Sequence, residues 1–192
     1  MRKVILSMMV SLDGYIEGSN RNIDWHVWSE EMDRFMGRFF DRIDTILLGR
    51  KTYELLVGYW PSASEPTDDP VITDRMNKLP KIVFSKTLES VAWNARLVKE
   101  NIAEEVTRLK QQPGKDIVIF GGADIASTFM QHDLIDEYQL IVNPVVLGSG
   151  KPLFNPDSFR SEGKCNFKLL KTTTFHCGNV VLYYQPERKE QK

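Results

Sequence analysis

Two short segments carry residue types suited to holding phosphate. Gly49-Arg50-Lys51-Thr52 follows the apolar run Thr45-Ile46-Leu47-Leu48, and Gly121-Gly122-Ala123-Asp124 follows Ile117-Val118-Ile119-Phe120. Each reads as a strand giving way to a helix. On open α/β sheets, ligands bind beyond the carboxyl ends of the strands, where helix starts present free N–H groups. Paired glycines let the backbone come close to a diphosphate, and the helix dipole favours its charge. Arg50 and Lys51 add cations at one junction, while Ser85 and Lys86 add a hydroxyl and a cation where Lys81-Ile82-Val83-Phe84 ends. Together these groups could hold a phosphate monoester such as the one on the 2′ position of NADP, Arg as a bidentate fork and Lys as a point charge. Taken singly, each has a plainer explanation: a glycine can be only a turn, and a surface Arg or Lys only solvated.

Other catalytic signatures are missing. Gly148-Ser149-Gly150-Lys151 resembles part of a phosphate loop, but Val145 stands where the leading Gly would be and Pro152 follows the Lys. There is no G-x-G-x-x-G, H-E-x-x-H or G-x-S-x-G. His26, His132 and His176 are far apart and lack metal-ligand partners at short spacing, so they read as surface or loop histidines and no metal site is expected. Cys165 and Cys177 are too few for a disulfide framework or a four-ligand zinc site, and read as small thiols.

The elements that would position the two junctions follow from periodicity. Val4 to Val10 is a short apolar run that suits a strand buried on both faces, ended by Asp13-Gly14. Ser11 to Trp28 reads as a long loop of the functional kind. Ser29 is the expected N-cap of a helix with Met32, Phe35, Met36, Phe39 and Phe40 on one face. A helix starts near Thr52, Gly58 to Pro70 is an exposed excursion, and Pro70 opens a short helix ending near Leu79. A helix over about Lys99 to Gln112 stops at Pro113-Gly114, another runs through Phe129 and Met130, and Tyr138 to Val142 is a strand. Phe167 to Thr174 and Val180 to Tyr184 form a closing antiparallel hairpin.

Strands alternating with helices, closed by an antiparallel pair, predict an α/β fold with a mostly parallel sheet. The 192 residues, 42% of them hydrophobic and ten of them Phe, suffice for one domain over 1–192 with a charged tail frayed from about 187. Twenty-five basic against 26 acidic residues leave a net charge of −1, which gives no field favouring nucleic acid or an anionic membrane. No targeting signal opens the chain, since Ser7, Ser11 and Asp13 interrupt the first apolar stretch, and no run reaches the roughly 18 apolar residues of a membrane span. A soluble, cytoplasmic protein is expected.

Five segments in order resemble the dihydrofolate reductase-like superfamily, in the branch shared with the reductase domain of bifunctional riboflavin-biosynthesis deaminase-reductases. They are Ser11-Leu12-Asp13-Gly14-Tyr15-Ile16, Leu47 to Glu54, Val83 to Leu88, Phe120-Gly121-Gly122-Ala123 and Asn143 to Phe154, and the match spans roughly residues 3 to 185. The resemblance implies a three-layer fold around a mixed sheet of about eight strands and an NADPH-dependent reductase. It implies that Gly49, Arg50, Lys51, Thr52, Ser85 and Lys86 face the adenosine-phosphate end, and that Gly121, Gly122, Ala123, Asp124 and Ile125 cradle the diphosphate. Val10, Ile16 and the loop from Ser11 to Trp28 would flank the nicotinamide. Trp25, Phe35, Phe39 and Phe120 would wall the substrate. Val142 to Gly150 would lie towards the active site or a dimer contact.

The chain departs from that branch in two places. Phe120 stands where riboflavin-pathway reductases typically carry a Glu against the substrate, and these 192 residues leave no room or ligand set for the zinc-bearing deaminase domain of the fused members. Hydride transfer to a pterin- or aminopyrimidine-like molecule is therefore the expectation, resembling 5-amino-6-(5-phosphoribosylamino)uracil reductase or dihydrofolate reductase. Asp13, Glu31 or an ordered water would deliver the proton, with Glu30, Glu31 and Asp33 otherwise serving as helix-start charges. A non-catalytic nucleotide- or pterin-binding module on the same fold is the alternative, and an interaction protein whose sheet dimerises is a third. The resembling family often pairs, which implies a homodimer.

Overall fold

The structure, a computed structural model, describes residues 1–63, 69–154 and 165–187. Residues 64–68 of the expected excursion and 188–192 of the expected tail lie outside the described residues.

Four apolar runs form the middle of the sheet because helices cover both of their faces. They are β1 (Val4–Val10), β3 (Ile43–Gly49), β4 (Lys81–Phe84) and β6 (Asp116–Ile119). With β5 (Ala95–Val98), β7 (Glu137–Val142), β9 (Phe167–Thr174) and β10 (Val180–Pro186) they make one eight-stranded sheet in the order β5-β4-β3-β6-β1-β7-β10-β9. The first six strands in that order are mutually parallel. β10 runs antiparallel to β7, and β9 antiparallel to β10. The fold class and the closing hairpin are those expected from the sequence.

One face is covered by α1 (Glu30–Phe40), α2 (Arg50–Tyr59) and α3 (Pro70–Lys78), the other by α4 (Ile102–Gln111) and α5 (Ala123–Gln131). Spacing of three and four brings Met32, Phe35, Met36, Phe39 and Phe40 to one side of α1, and all five are buried. They pack over Ile5, Ile46, Val118 and Ile141, while Leu6, Leu47, Ile117 and Ile119 point to the layer of α4 and α5. Asp69 caps α3 by accepting from the amides of Val71 and Ile72. Ser29 occupies the N-cap position of α1 as expected, but its hydroxyl makes no capping bond.

Three strands add to those expected from the sequence. The loop Ser11 to Trp28 contains β2 (Tyr15–Gly18), which pairs antiparallel with β8 (Gly150–Pro152) as a separate two-stranded ribbon. Such short strands carry no periodicity, and their partners are over a hundred residues apart. β5 carries little apolar signal because it is an edge strand with Arg96 exposed in its middle. Boundaries also move: α2 begins at Arg50 rather than Thr52, and α4 at Ile102 rather than Lys99.

Candidate cofactor and substrate site

The two glycine junctions meet. β3 and β6 are neighbours, so the helices that follow them, α2 and α5, start side by side. Both have glycine as N-cap, Gly49 and Gly122, and neither start carries a side-chain cap. The first-turn N–H groups of a helix have no intrahelical partners, so two uncapped starts concentrate donors and positive dipole ends in one place. Between them lies a crevice of about 350 Å³. Its lining includes Ile16, Gly49, Arg50, Lys51, Thr52, Ser85, Lys86, Gly122, Ala123, Asp124 and Ile125. Gly121 is beside it, where an added Cβ would come within 3.1 Å of Thr52 Oγ1; one on Gly122 would stand at 3.2 Å. Side chains would fill this cradle, which suits close approach by a diphosphate.

Four basic side chains, Arg50, Lys51, Lys86 and Lys151, face two acids, Glu17 and Asp124, in the crevice lining. Arg50 Nη1 lies 3.0 and 3.2 Å from the two carboxylate oxygens of Glu54, one turn along α2. Lys151 Nζ donates to Asp124 Oδ1 at 2.7 Å, and Lys51 Nζ stands 3.7 Å from Asp124 Oδ2. The hydrogen bond from Lys151, with the charge of both lysines, holds the Asp124 carboxyl below its ordinary range. The Ser85 hydroxyl oxygen accepts from the amides of Thr87 and Leu88 at 3.2 and 3.1 Å, which fixes the turn carrying Lys86. A second hollow, lined by Lys99, Glu100 and His132, shares Lys86 and Thr128 with the crevice and extends it past β4.

The other end of the predicted site lies at the carboxyl ends of β1 and β7. Val10 is 5% exposed, pairs with Val142, and is not among the residues lining the crevice. Two fully buried asparagines fasten the loop that passes over this end. Asn143 Oδ1 accepts the Val27 amide and Asn179 Nδ2 donates to the Val27 carbonyl, each at 2.8 Å. Trp25 is half-buried and meets His26 edge-on at 4.4 Å between ring centroids. Phe35 packs edge-on against Phe175, and Phe39 against Phe120, which also touches Phe40. Phe35 and Phe39 are core residues here, while Phe120 is half-buried.

The two candidate acids sit in unlike settings. The Asp13 carboxylate accepts from the Ser11 hydroxyl at 2.6 Å and from the amides of Leu147 and Gly148 at 3.1 and 2.7 Å. Those bonds, led by that from Ser11, keep its carboxyl below the ordinary range. Asp13 is thus the anchor of the turn leading into β8. Glu31, in the first turn of α1, is gripped by one residue of the β9–β10 turn. The His176 amide donates to Oε2 at 2.9 Å, and its ring Nδ1 is 3.0 Å from Oε1. The imidazole bond, then the amide, lowers the Glu31 carboxyl, and Glu31 in turn raises His176.

Sequence reasoning missed Glu17, Leu55, Phe84, Thr87, Thr128 and Lys151 in the crevice lining and Asn143 and Asn179 as loop anchors. Lys151 had a signal, since its segment resembled part of a phosphate loop; Asn179 had none. Among the described residues, no helix is long and apolar enough to cross a membrane, and no group of three or more His, Cys, Asp or Glu could hold a metal ion.

Residues 2–181 match the RibD C-terminal domain family. The uncharacterized protein YyaP of Bacillus subtilis strain 168 is 40% identical over 185 residues, covering 95% of this chain and 94% of its own. YwjB of the same organism is 36% identical over 156 residues, covering 80% and 83%. Among solved structures, the diaminohydroxyphosphoribosylaminopyrimidine deaminase/5-amino-6-(5-phosphoribosylamino)uracil reductase of Thermotoga maritima superposes with a TM-score of 0.69 at 16% identity, over 97% of this chain and 57% of that one. Dihydrofolate reductase of Enterococcus faecalis complexed with NADP(H) gives 0.65 at 13%, over 97% of both chains. At such identities these two likenesses are of fold. That fold, shared with both, is the one its motifs implied.

Proposed function

The chain belongs to the RibD C-terminal domain family, and from that membership we propose that it is an NADPH-dependent reductase acting on a pterin- or aminopyrimidine-like heterocycle. The observation that carries this reading is the meeting of two uncapped, glycine-started helices in one cationic crevice. Gly49, Thr52, Gly121, Gly122, Ala123 and Ile125 would hold the diphosphate, while Arg50, Ser85 and Lys86 would take the 2′-phosphate. The hollow past Lys86 would take the adenine. A bound reduced nicotinamide would supply the hydride.

The rest falls to the chain. The loop fastened at Val27 would exclude water from the carboxyl end of β1, where Val10 and Ile16 would flank the ring and Trp25 would cover it. Glu31 is ionised at neutral pH, so it would accept N–H groups of an amino heterocycle and fix its orientation, leaving an ordered water to deliver the proton. Half-buried Phe120 would supply the apolar side of that pocket, with Phe39 packed against it from the core. The reading includes a cytoplasmic setting and a homodimer; the exposed edge strand β9, with Leu169 and Leu170 at 49% and 45% exposure, favours pairing.

Calorimetric titration with NADPH, followed by loss of reduced-nicotinamide absorbance across a panel of dihydropterins and ribosylaminopyrimidines, tests it. Binding with turnover of one panel member is expected. Absence of any dinucleotide binding would sink the reading, and tight binding without oxidation would turn it into a non-catalytic module.

A further inference from the structure

Lys151 stands out because of where it comes from. The other cations of the crevice, Arg50, Lys51 and Lys86, come from the start of α2 and the end of β4, while the two-stranded ribbon otherwise contributes Ile16 and Glu17 of β2. Lys151 lies on β8, in that ribbon outside the main sheet. The ribbon is held independently: Leu153 donates to the Gly14 carbonyl at 3.0 Å, and Asp13 secures the preceding turn through Leu147 and Gly148. It therefore delivers an ammonium to the start of α5 from a fixed third direction, and that ammonium is bonded to Asp124.

Asp124 is the odd residue of the cradle. It is an acid in the first turn of α5, and its two oxygens face Lys151 and Lys51, one each. A diphosphate seated on that turn needs the same two ammonium groups and is repelled by the same carboxylate. We propose that Lys151 is a diphosphate-binding residue and that Asp124 competes with the diphosphate for Lys151 and Lys51, setting the affinity of the crevice below what its cations alone would give. The inference rests on the cofactor reading above and adds to it a residue from outside the sheet and an internal competitor.

The exchange is feasible because the competing pairs are weak. The Asp124 side chain is 65% exposed and that of Lys51 57%, so water screens their attraction, and a diphosphate carries more charge than one carboxylate. Removing the carboxylate leaves both lysines in place and lifts its repulsion.

The test titrates wild type, Asp124→Asn and Lys151→Met with NADPH and with ADP by calorimetry, and records the melting temperature of each. ADP shares the diphosphate and lacks both the 2′-phosphate and the nicotinamide. Asp124→Asn is expected to tighten both ligands at least threefold and Lys151→Met to weaken both at least fivefold, with unchanged melting temperatures. Unchanged or weaker binding by Asp124→Asn would make Asp124 a mere holder of Lys151 and overturn the competition. Unchanged binding by Lys151→Met would remove Lys151 from the site. If wild type binds ADP but not NADPH, the reductase reading fails while the ADP series still decides this proposal; if it binds neither, both fall.

Discussion

The amide of Gly49 donates to the carbonyl of Gly121 at 3.1 Å. This bond closes the carboxyl ends of β3 and β6 against each other, and a Cβ on Gly49 would stand 3.2 Å from Ile125 Cγ2. Gly122 lies one residue further on, at a backbone φ of −100° that any residue adopts, and a Cβ there would meet only Thr52 Oγ1. Gly122→Val should therefore fill the crevice without breaking the fold. The expected result is a rise of tenfold or more in the Kd for NADPH, about 1.4 kcal/mol, with a melting temperature lowered by no more than a few degrees. A variant that binds as wild type does would show that the junction is only a turn.

Arg50 is held by Glu54 with a single terminal nitrogen, which leaves its other guanidinium N–H groups for a phosphate monoester. With Ser85 and Lys86 on the same crevice, NADPH should bind more tightly than NADH by about 1–3 kcal/mol. Arg50→Gln should erase much of that difference while leaving NADH binding near its original value. Equal dissociation constants for the two cofactors in wild type, by calorimetry, would exclude a 2′-phosphate site here.

Asp13 has three donors on its carboxylate, two of them backbone amides of the 147–148 turn. An Asn in its place offers one acceptor oxygen and loosens that turn. Asp13→Asn should lower the melting temperature and leave the pH profile of turnover unaltered, because a carboxyl held below its ordinary range is a poor proton donor. Loss of a limb of that profile would instead give Asp13 a part in proton transfer.

The parts of the site legible in the sequence were those fixed locally. Gly49 and Gly122 announce themselves because a strand, a glycine and a helix start follow one another along the chain, and the stripe of α1 is set by a period of three to four residues. Lys151, Asn143 and Asn179 owe their roles to contacts with Asp124 and Val27 across 27, 116 and 152 residues, and no local pattern encodes those distances. The ribbon of β2 and β8 was hidden for the same reason. Asp13 shows a further limit: its residue type suits acid chemistry, and only its three donors reveal that it anchors a turn.

Lys81 is 1% exposed, with no carboxylate at ion-pair distance among the described residues. Its ammonium donates to the carbonyls of Leu79 at 2.7 Å and Asn77 at 3.4 Å, and lies 4.0 Å from the centre of the Trp93 ring. Burial pulls its pKa down to about 8 from 10.5. Between those values the unfolded chain binds a proton that the folded protein has released, so stability rises with pH across that window. The denaturation midpoint of wild type relative to Lys81→Met should climb from pH 8 towards pH 10.5, measured in urea at fixed ionic strength. A constant difference would mean that the carbonyls and the ring hold the ammonium charged.

Glu31 and His176 join α1 to the β9–β10 turn through a carboxylate lowered by the imidazole and an imidazole raised by the carboxylate. The signs define a window. The Glu31 contribution is present above the carboxylate's ordinary value of 4.5 and is lost as pH falls through its lowered one. The His176 contribution is present below the imidazole's ordinary 6.5 and is lost as pH rises through its raised one. Wild type should therefore exceed His176→Ala in melting temperature most clearly between those two titrations, with the gap narrowing on either side. His176→Ala keeps the backbone amide on Oε2, so Glu31 should stay ionised and in place, and substrate KM at neutral pH should change less than in Glu31→Gln. A stability gap that ignores pH would overturn the ionic account of this pair, since the His176 ring is exposed and has no packing to offer.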